Sequence, residues 1–151
     1  MVAVSFDGEN ILHLMRINVG DRRIREKGRL LLVGSCMMSR YPEIVEEYAK
    51  RKGGYAVLQV CLEETHVNQA GFKIGSIVRY CNLEEVVALT IDGSPHCVQL
   101  HFVIEDIKRH FTPDVKTDHF VVEKGQVHQI SPKAVKRARH LSKIQKMLDQ
   151  D

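Results

Sequence analysis

Continuous apolar runs alternate along this chain with stretches of helical periodicity. Leu30 to Val33 is one such run and ends in Gly34-Ser35; similar runs occupy Tyr55 to Leu62 and Val86 to Ile91. Unbroken apolar segments of this length suit strands covered on both faces, as in a parallel sheet. Between the first two, Pro42 to Lys52 carries Ile44, Val45, Tyr48 and Ala49 at helical spacing, with Pro42 fitted to a first turn and Gly53-Gly54 as a stop. The pattern predicts a β-α-β unit. A second helix is expected over His66 to Tyr80, with Phe72, Ile74, Ile77 and Val78 as its apolar contacts, although Gly71 and Gly75 dilute its propensity.

After Ile91 the chain turns at Asp92-Gly93, and Ser94 followed by Pro95 reads as the N-cap and first turn of a further helix. Leu100, Val103, Ile104, Ile107 and Phe111 form its apolar face, and Glu105, Asp106, Lys108 and Arg109 its polar face. Phe120 to Glu123 and Gln126 to Ile130 flank Lys124-Gly125 as a hairpin. Ser131-Pro132 then opens a last helix whose Val135, Ala138, Leu141, Ile144 and Leu148 are expected to lie against the body. The predicted fold is a single three-layer α/β domain over residues 1–151. Its sheet is mainly parallel with helices on both faces, and a C-terminal β-hairpin and helix are added.

Composition changes this picture little. A chain of 151 residues with 44% hydrophobic and 27% charged residues is one globular domain. No apolar run approaches the roughly 20 residues of a membrane span. Met1 to Asn10 carries Asp7 and Glu9 in place of a basic-then-apolar leader, which predicts a cytoplasmic protein. Net charge is only +3, and the basic stretches Arg16 to Arg29 and Lys133 to Lys146 have no interleaved aromatic residues. They read as solvated faces, and nucleic acid is not an expected partner.

The cysteines change it more. Cys36, Cys61, Cys81 and Cys97 include no CxxC pair, so neither a zinc ribbon nor a disulfide framework is indicated. Open parallel sheets bind ligands beyond the carboxyl ends of their strands. Cys36 follows the first predicted strand, Cys61 closes the second, and His96 and Cys97 follow the third. Cys36, His96 and Cys97 form a thiolate and imidazole set of the kind Zn²⁺ takes, with Cys61, His66 and His101 as additional candidates; an iron–sulfur cluster needing four thiolates fits less well. The packing alternative is that Cys61 and Cys81 are core residues. Cys97 also falls in the first turn of its helix, where backbone N–H groups favour a thiolate. A second candidate is an anion site made by Ser39, Arg40, Gly93 and Ser94 at that helix start. No GxGxxG follows the first strand, so a dinucleotide fingerprint is absent.

Cys36-Met37-Met38-Ser39-Arg40 resembles the Cys-x-Asp-Ser-Arg element of β-class carbonic anhydrases, and Ser76 to Cys97 is similar to that family's second zinc-ligand region. The resemblance spans about Leu30 to Cys97. It implies zinc held by Cys36 and Cys97, with Arg40 as the arginine that pairs with the family's aspartate. Met38 stands where that aspartate would be, and His96 is adjacent to Cys97 where the family spaces the pair by three. The implied protein is a degenerate relative that keeps the fold without the hydration activity. The expected function is therefore a metal- or thiol-dependent site for a small molecule or anion, centred on Cys36, His96 and Cys97, with catalysis an open question. The alternatives are a non-enzymatic anion- or nucleotide-binding module, or a redox-linked partner of an iron–sulfur protein docking through its basic helix. A homo-oligomer is compatible with each.

Overall fold

The three apolar runs form the centre of a six-stranded sheet. The structure is a computed structural model that describes residues 11–151, so the expectation made on Met1 to Asn10 lies outside it. The strands are β1 (Leu12–His13), β2 (Arg29–Gly34), β3 (Ala56–Val60), β4 (Glu85–Ile91), β5 (Lys116–Glu123) and β6 (Gln126–Ile130), in the spatial order β1-β3-β2-β4-β5-β6. Every pairing is parallel except that of β5 with β6. The helices are α1 (Arg22–Lys27), α2 (Ser35–Arg40), α3 (Pro42–Ala49), α4 (Val67–Tyr80), α5 (Cys97–His110), α6 (Pro132–Ala138) and α7 (Leu141–Asp149).

Strand periodicity divides the core in two. Leu30 and Leu32 of β2 join Ile24 of α1, Ile74 and Ile77 of α4, and Leu100 and Ile104 of α5 on one face. Leu31 and Val33 point to the other face and pack with Met37 of α2 and with Val45 and Tyr48 of α3. Each fully buried Leu or Val contributes about 1.5–3 kcal/mol, so this two-faced strand anchors both layers. The predicted three-layer arrangement is the observed one.

Several local expectations change. The glycines of α4 do not weaken a marginal helix but let it approach α5: a Cβ on Gly71 would lie 2.8 Å from Val103 Cγ2. Phe72 is 81% exposed and Phe111 61% exposed, so neither contributes to the core. The hairpin turn is as expected, and Lys124 and Gly125 both have positive φ, the geometry of a two-residue turn that matches strand twist. Strand β5 begins four residues before Phe120, because Thr117 and His119 are partly and fully buried polar residues that break the apolar pattern.

The single C-terminal helix is two. The chain breaks at Arg139 and His140, and His140 has extended backbone where it caps α7. Only Val135 of the expected stripe is buried, while Leu141 is 81% and Leu148 60% exposed. A helical stripe records amphipathicity but not the presence of a surface to cover it.

The early basic stretch folds into elements that the apolar pattern did not suggest. Asp21 caps α1 by accepting the Arg23 N–H, and Gly28 ends it in the left-handed region. Its charges are met locally: Arg23 by Asp21 at 2.8 Å, Arg22 by Glu26 at 3.3 Å, and Arg29 by Glu84 at 2.9 Å. No helix among the described residues is long and apolar enough to cross a membrane.

Candidate functional site

The chain leaves β2 through α2 and α3 on one face to reach β3, then passes along α4 on the opposite face to β4, on the other side of β2. The loops after β2 and β4 therefore diverge, and the divergence opens a crevice at the carboxyl ends of the strands. A small cavity of about 50 Å³ lies there, lined by Gly34, Ser35 and Cys36 after β2, Cys61 and Glu63 after β3, and Thr90, Ser94, His96 and Cys97 from β4 onward. Gly34 leaves bare backbone at the cavity wall, where a Cβ would lie in ordinary contact with Cys97 Sγ at 3.6 Å and Thr90 Cγ2 at 3.9 Å.

Cys36, Cys61, His96 and Cys97 thus all line one cavity. Cys36 is exposed, and Cys61 and Cys97 are half-buried. The Cys97 N–H donates to Ser94 Oγ at 3.2 Å, so Ser94 fixes the first turn of α5 although the helix begins two residues later than expected. His96 Nδ1 lies 4.0 Å from Glu63 Oε2.

Other candidates lie elsewhere. His66 is exposed and caps α4, its Nδ1 accepting the Asn68 N–H at 3.2 Å. Cys81 packs beside Val19, whose carbonyl accepts from its sulfur at 3.2 Å, and burial pushes its thiol up. Ser39 Oγ donates to the Cys36 carbonyl, and the exposed Arg40 guanidinium lies 5.6 Å from the Tyr41 ring centre. Neither Ser39 nor Arg40 lines the cavity; Gly93, with φ of 90°, only shapes the turn, and Ser94 alone of the expected anion set reaches the cavity wall. Among the described residues no three His, Cys, Asp or Glu side chains are grouped closely enough to hold a metal ion.

His101 is the main surprise. It lies one turn beyond Cys97, but its ring is buried and both nitrogens are engaged within the protein. His101 Nε2 is 2.8 Å from Thr90 Oγ1, and His101 Nδ1 is 2.9 Å from His119 Nδ1. The opposite nitrogen of His119, Nε2, is 2.6 Å from Glu105 Oε2, which also accepts the Thr117 hydroxyl at 2.7 Å. His119, on the inward face of β5, is fully buried. Burial and the neighbouring His119 push His101 down to about 3, so its ring is neutral. Burial opposes the charge of Glu105, but hydrogen bonds from His119 and Thr117 outweigh that and hold its carboxyl below the usual range. Two signals of this network were present in the sequence: Cys97, His101 and Glu105 recur every fourth residue along α5, and Thr117, His119 and Val121 alternate along β5.

Glu105 also borders a larger cleft of about 360 Å³ between α5 and α6, with Phe102, Pro113, Pro132 and Val135 as its apolar surface. Lys108, Arg109, Lys133, Lys136 and Arg139 surround it. Asp106 holds Arg109 at 2.7 Å and Arg139 at 3.4 Å, which ties α6 to α5.

A family model described as a Rossmann-like domain matches residues 23–151. No curated protein and no solved structure matches the chain.

Proposed function

Because the chain belongs to the Rossmann-like domain family, and open parallel sheets bind ligands where their strand order reverses, we propose that the strand-end cavity is a thiol-dependent site for a small ligand. The observation that carries this reading is the convergence of Cys36, Cys61 and Cys97 from three strand ends onto one cavity, with Cys97 Sγ set over the side-chain-free Gly34. Cys36 and Cys97 are the reactive candidates, and His96 and Thr90 are the polar groups beside them.

Size selects the ligand class. A cavity of about 50 Å³ admits a group of a few heavy atoms, whereas drug-sized and cofactor-sized ligands occupy roughly 300–1,000 Å³. A whole dinucleotide does not fit, in keeping with the missing glycine fingerprint. Arg40 stands outside the cavity, which removes the guanidinium from the anion-module alternative. Met38, in the place of the carbonic anhydrase aspartate, packs against the Met37 and Val45 side of the core and offers the cavity no carboxylate. A zinc ion on Cys36, His96 and Cys97 would require these side chains to draw together, so the thiol reading is preferred to the metal one.

Alkylation kinetics and metal content test the proposal. Cys36 and Cys97 are expected to react with iodoacetamide faster than Cys81, and protein purified without an affinity tag is expected to carry less than about a tenth of an equivalent of zinc. Stoichiometric zinc that disappears in Cys97→Ser would replace the thiol reading with the metal one. Equal reactivity of Cys36, Cys81 and Cys97 would remove it.

A further inference from the structure

The hydrogen-bonded line from Thr90 to Glu105 connects two cavities on different sides of α5. Thr90 lines the strand-end cavity, and Glu105 lines the cleft between α5 and α6. The two histidines between them are 3% and 0% exposed, and each uses both ring nitrogens within the line. A neutral imidazole has one donor and one acceptor nitrogen, so fixing either end fixes every bond between. With Glu105 ionised, His119 must donate from Nε2, leaving Nδ1 as an acceptor; His101 must then donate from Nδ1, leaving Nε2 to accept the Thr90 hydroxyl proton. One arrangement satisfies all four groups, and it points from the thiol cavity toward the cleft.

We propose that Thr90, His101, His119 and Glu105 form a proton relay from the strand-end cavity to the α5–α6 cleft. A proton released by a cavity thiol or by its ligand enters on Thr90 Oγ1 as the original hydroxyl proton moves to His101 Nε2. The Nδ1 proton of His101 moves to His119 Nδ1, and the Nε2 proton of His119 moves to Glu105 Oε2. Each intermediate group gains one proton and loses one; the donor ends one proton poorer, Glu105 one richer, and both histidines exchange tautomers. Lys108 of α5 favours an ionised Glu105 before transfer; Arg109 and Arg139, which share the cleft with Lys133 and Lys136, are paired with Asp106. Asp118 of β5 is turned to the His119 N–H and the Gln129 side chain, outside the line. Thr90, His101 and His119 are buried, which screens the path from competing water.

The identity of the proton donor rests on the thiol-site reading; the coupling of the four groups does not. Long-range ¹H–¹⁵N spectra of the full chain with labelled histidine separate the two. At pH 7 the relay requires His101 protonated on Nδ1 and His119 on Nε2, with Glu105→Ala removing the single fixed tautomer of both rings. Thr90→Ser is expected to preserve the wild-type pattern, and Thr90→Val to keep both tautomers, since Glu105 fixes them, while shifting the His101 Nε2 resonance whose hydrogen bond it removes. A His101 tautomer unaffected by Glu105→Ala would overturn the relay, whatever the thiols do. In the second arm, Glu105→Ala and His119→Gln are expected to slow alkylation of Cys97 several-fold although neither residue lines its cavity. Unchanged rates in both variants, with cavity thiols that still react faster than Cys81, would leave the thiol site standing and overturn its connection to the relay. Coupled tautomers in a protein whose cavity thiols react no faster than Cys81 would reject the thiol reading and keep the relay.

Discussion

Strand β4 carries a buried polar group near each end, and the two are satisfied in opposite ways. At the amino end Glu85, only 4% exposed, accepts the Tyr55 hydroxyl at 2.7 Å and Lys52 Nζ at 2.9 Å, with Arg29 Nε at 3.9 Å. Burial and the Glu85 carboxylate together hold the Tyr55 phenol well above its ordinary range, so it stays a donor. At the carboxyl end Thr90 meets His101, and the charge of Glu105 is reached only two imidazoles away. The first network is a fixed ion clamped by cations and has one arrangement of protons. The second is built from groups that hold or release a proton with little movement. A buried ion of the first kind locks a strand in place, and a line of neutral donor–acceptor groups can also transmit.

Removing the ion should have the largest effect. Glu85→Ala strips the acceptor from the buried Tyr55 hydroxyl and is expected to destabilise the fold by about 2–3 kcal/mol, read as a lower midpoint in urea at pH 7. Glu85→Gln, which keeps an acceptor for Tyr55, should lose clearly less. If the two variants match, the charge and not the hydrogen bond holds this end.

The neutral end should be revealed by acid. His101 is held down to about 3 in the folded chain, against an ordinary value near 6.5, so between those values the unfolded chain binds the extra proton. Stability therefore falls as pH drops through this window, with a limiting slope of about 1.4 kcal/mol per pH unit for one proton. Glu105 acts in the same direction at its lower end: a carboxyl held below its usual range stabilises the fold above that range and loses the contribution as it protonates. His101→Gln should flatten the upper part of the slope, between about pH 6.5 and 5, in denaturation curves measured across pH. A slope identical to wild type would assign the acid sensitivity to another group.

The smallest effect is expected from the exposed partner of the ion. Lys52 is more than half exposed, and such pairs contribute no more than about 1 kcal/mol. Lys52→Gln should shift the urea midpoint by less than either Glu85 variant. A larger loss would mean that the cation, and not Tyr55, is what makes a buried Glu85 tolerable.

Much of the fold was legible because it is written in apolar continuity. Leu30 to Val33, buried on both faces, can only be a central strand, and the cavity followed once Cys36, Cys61 and Cys97 were placed at strand ends. The buried line was not legible from hydropathy, which counts His119 as polar wherever it falls; its burial depends on partners supplied by α5. Cys97, His101 and Glu105 share one stripe of that helix, yet nothing in the stripe says that a histidine of β5 will face it. The C-terminal arm misled for the opposite reason. Leu141, Ile144 and Leu148 have a correct helical period, but the break at His140 carries them away from the body.

The margins of the sheet bear on how copies of this chain could meet. At one margin β1 pairs over two residues, Leu12 and His13, and at the other β6 runs against β5 with Gln126, His128 and Gln129 exposed. Strand addition needs a long row of free backbone groups beside apolar side chains, and a two-residue margin or a polar one is a poor template. Among the described residues, the large apolar side chains that stand in solvent, Phe72, Leu141 and Leu148 among them, are on helices or at a helix end and not at these strand margins, so helix faces offer a self-associating form more apolar surface than the sheet edges do.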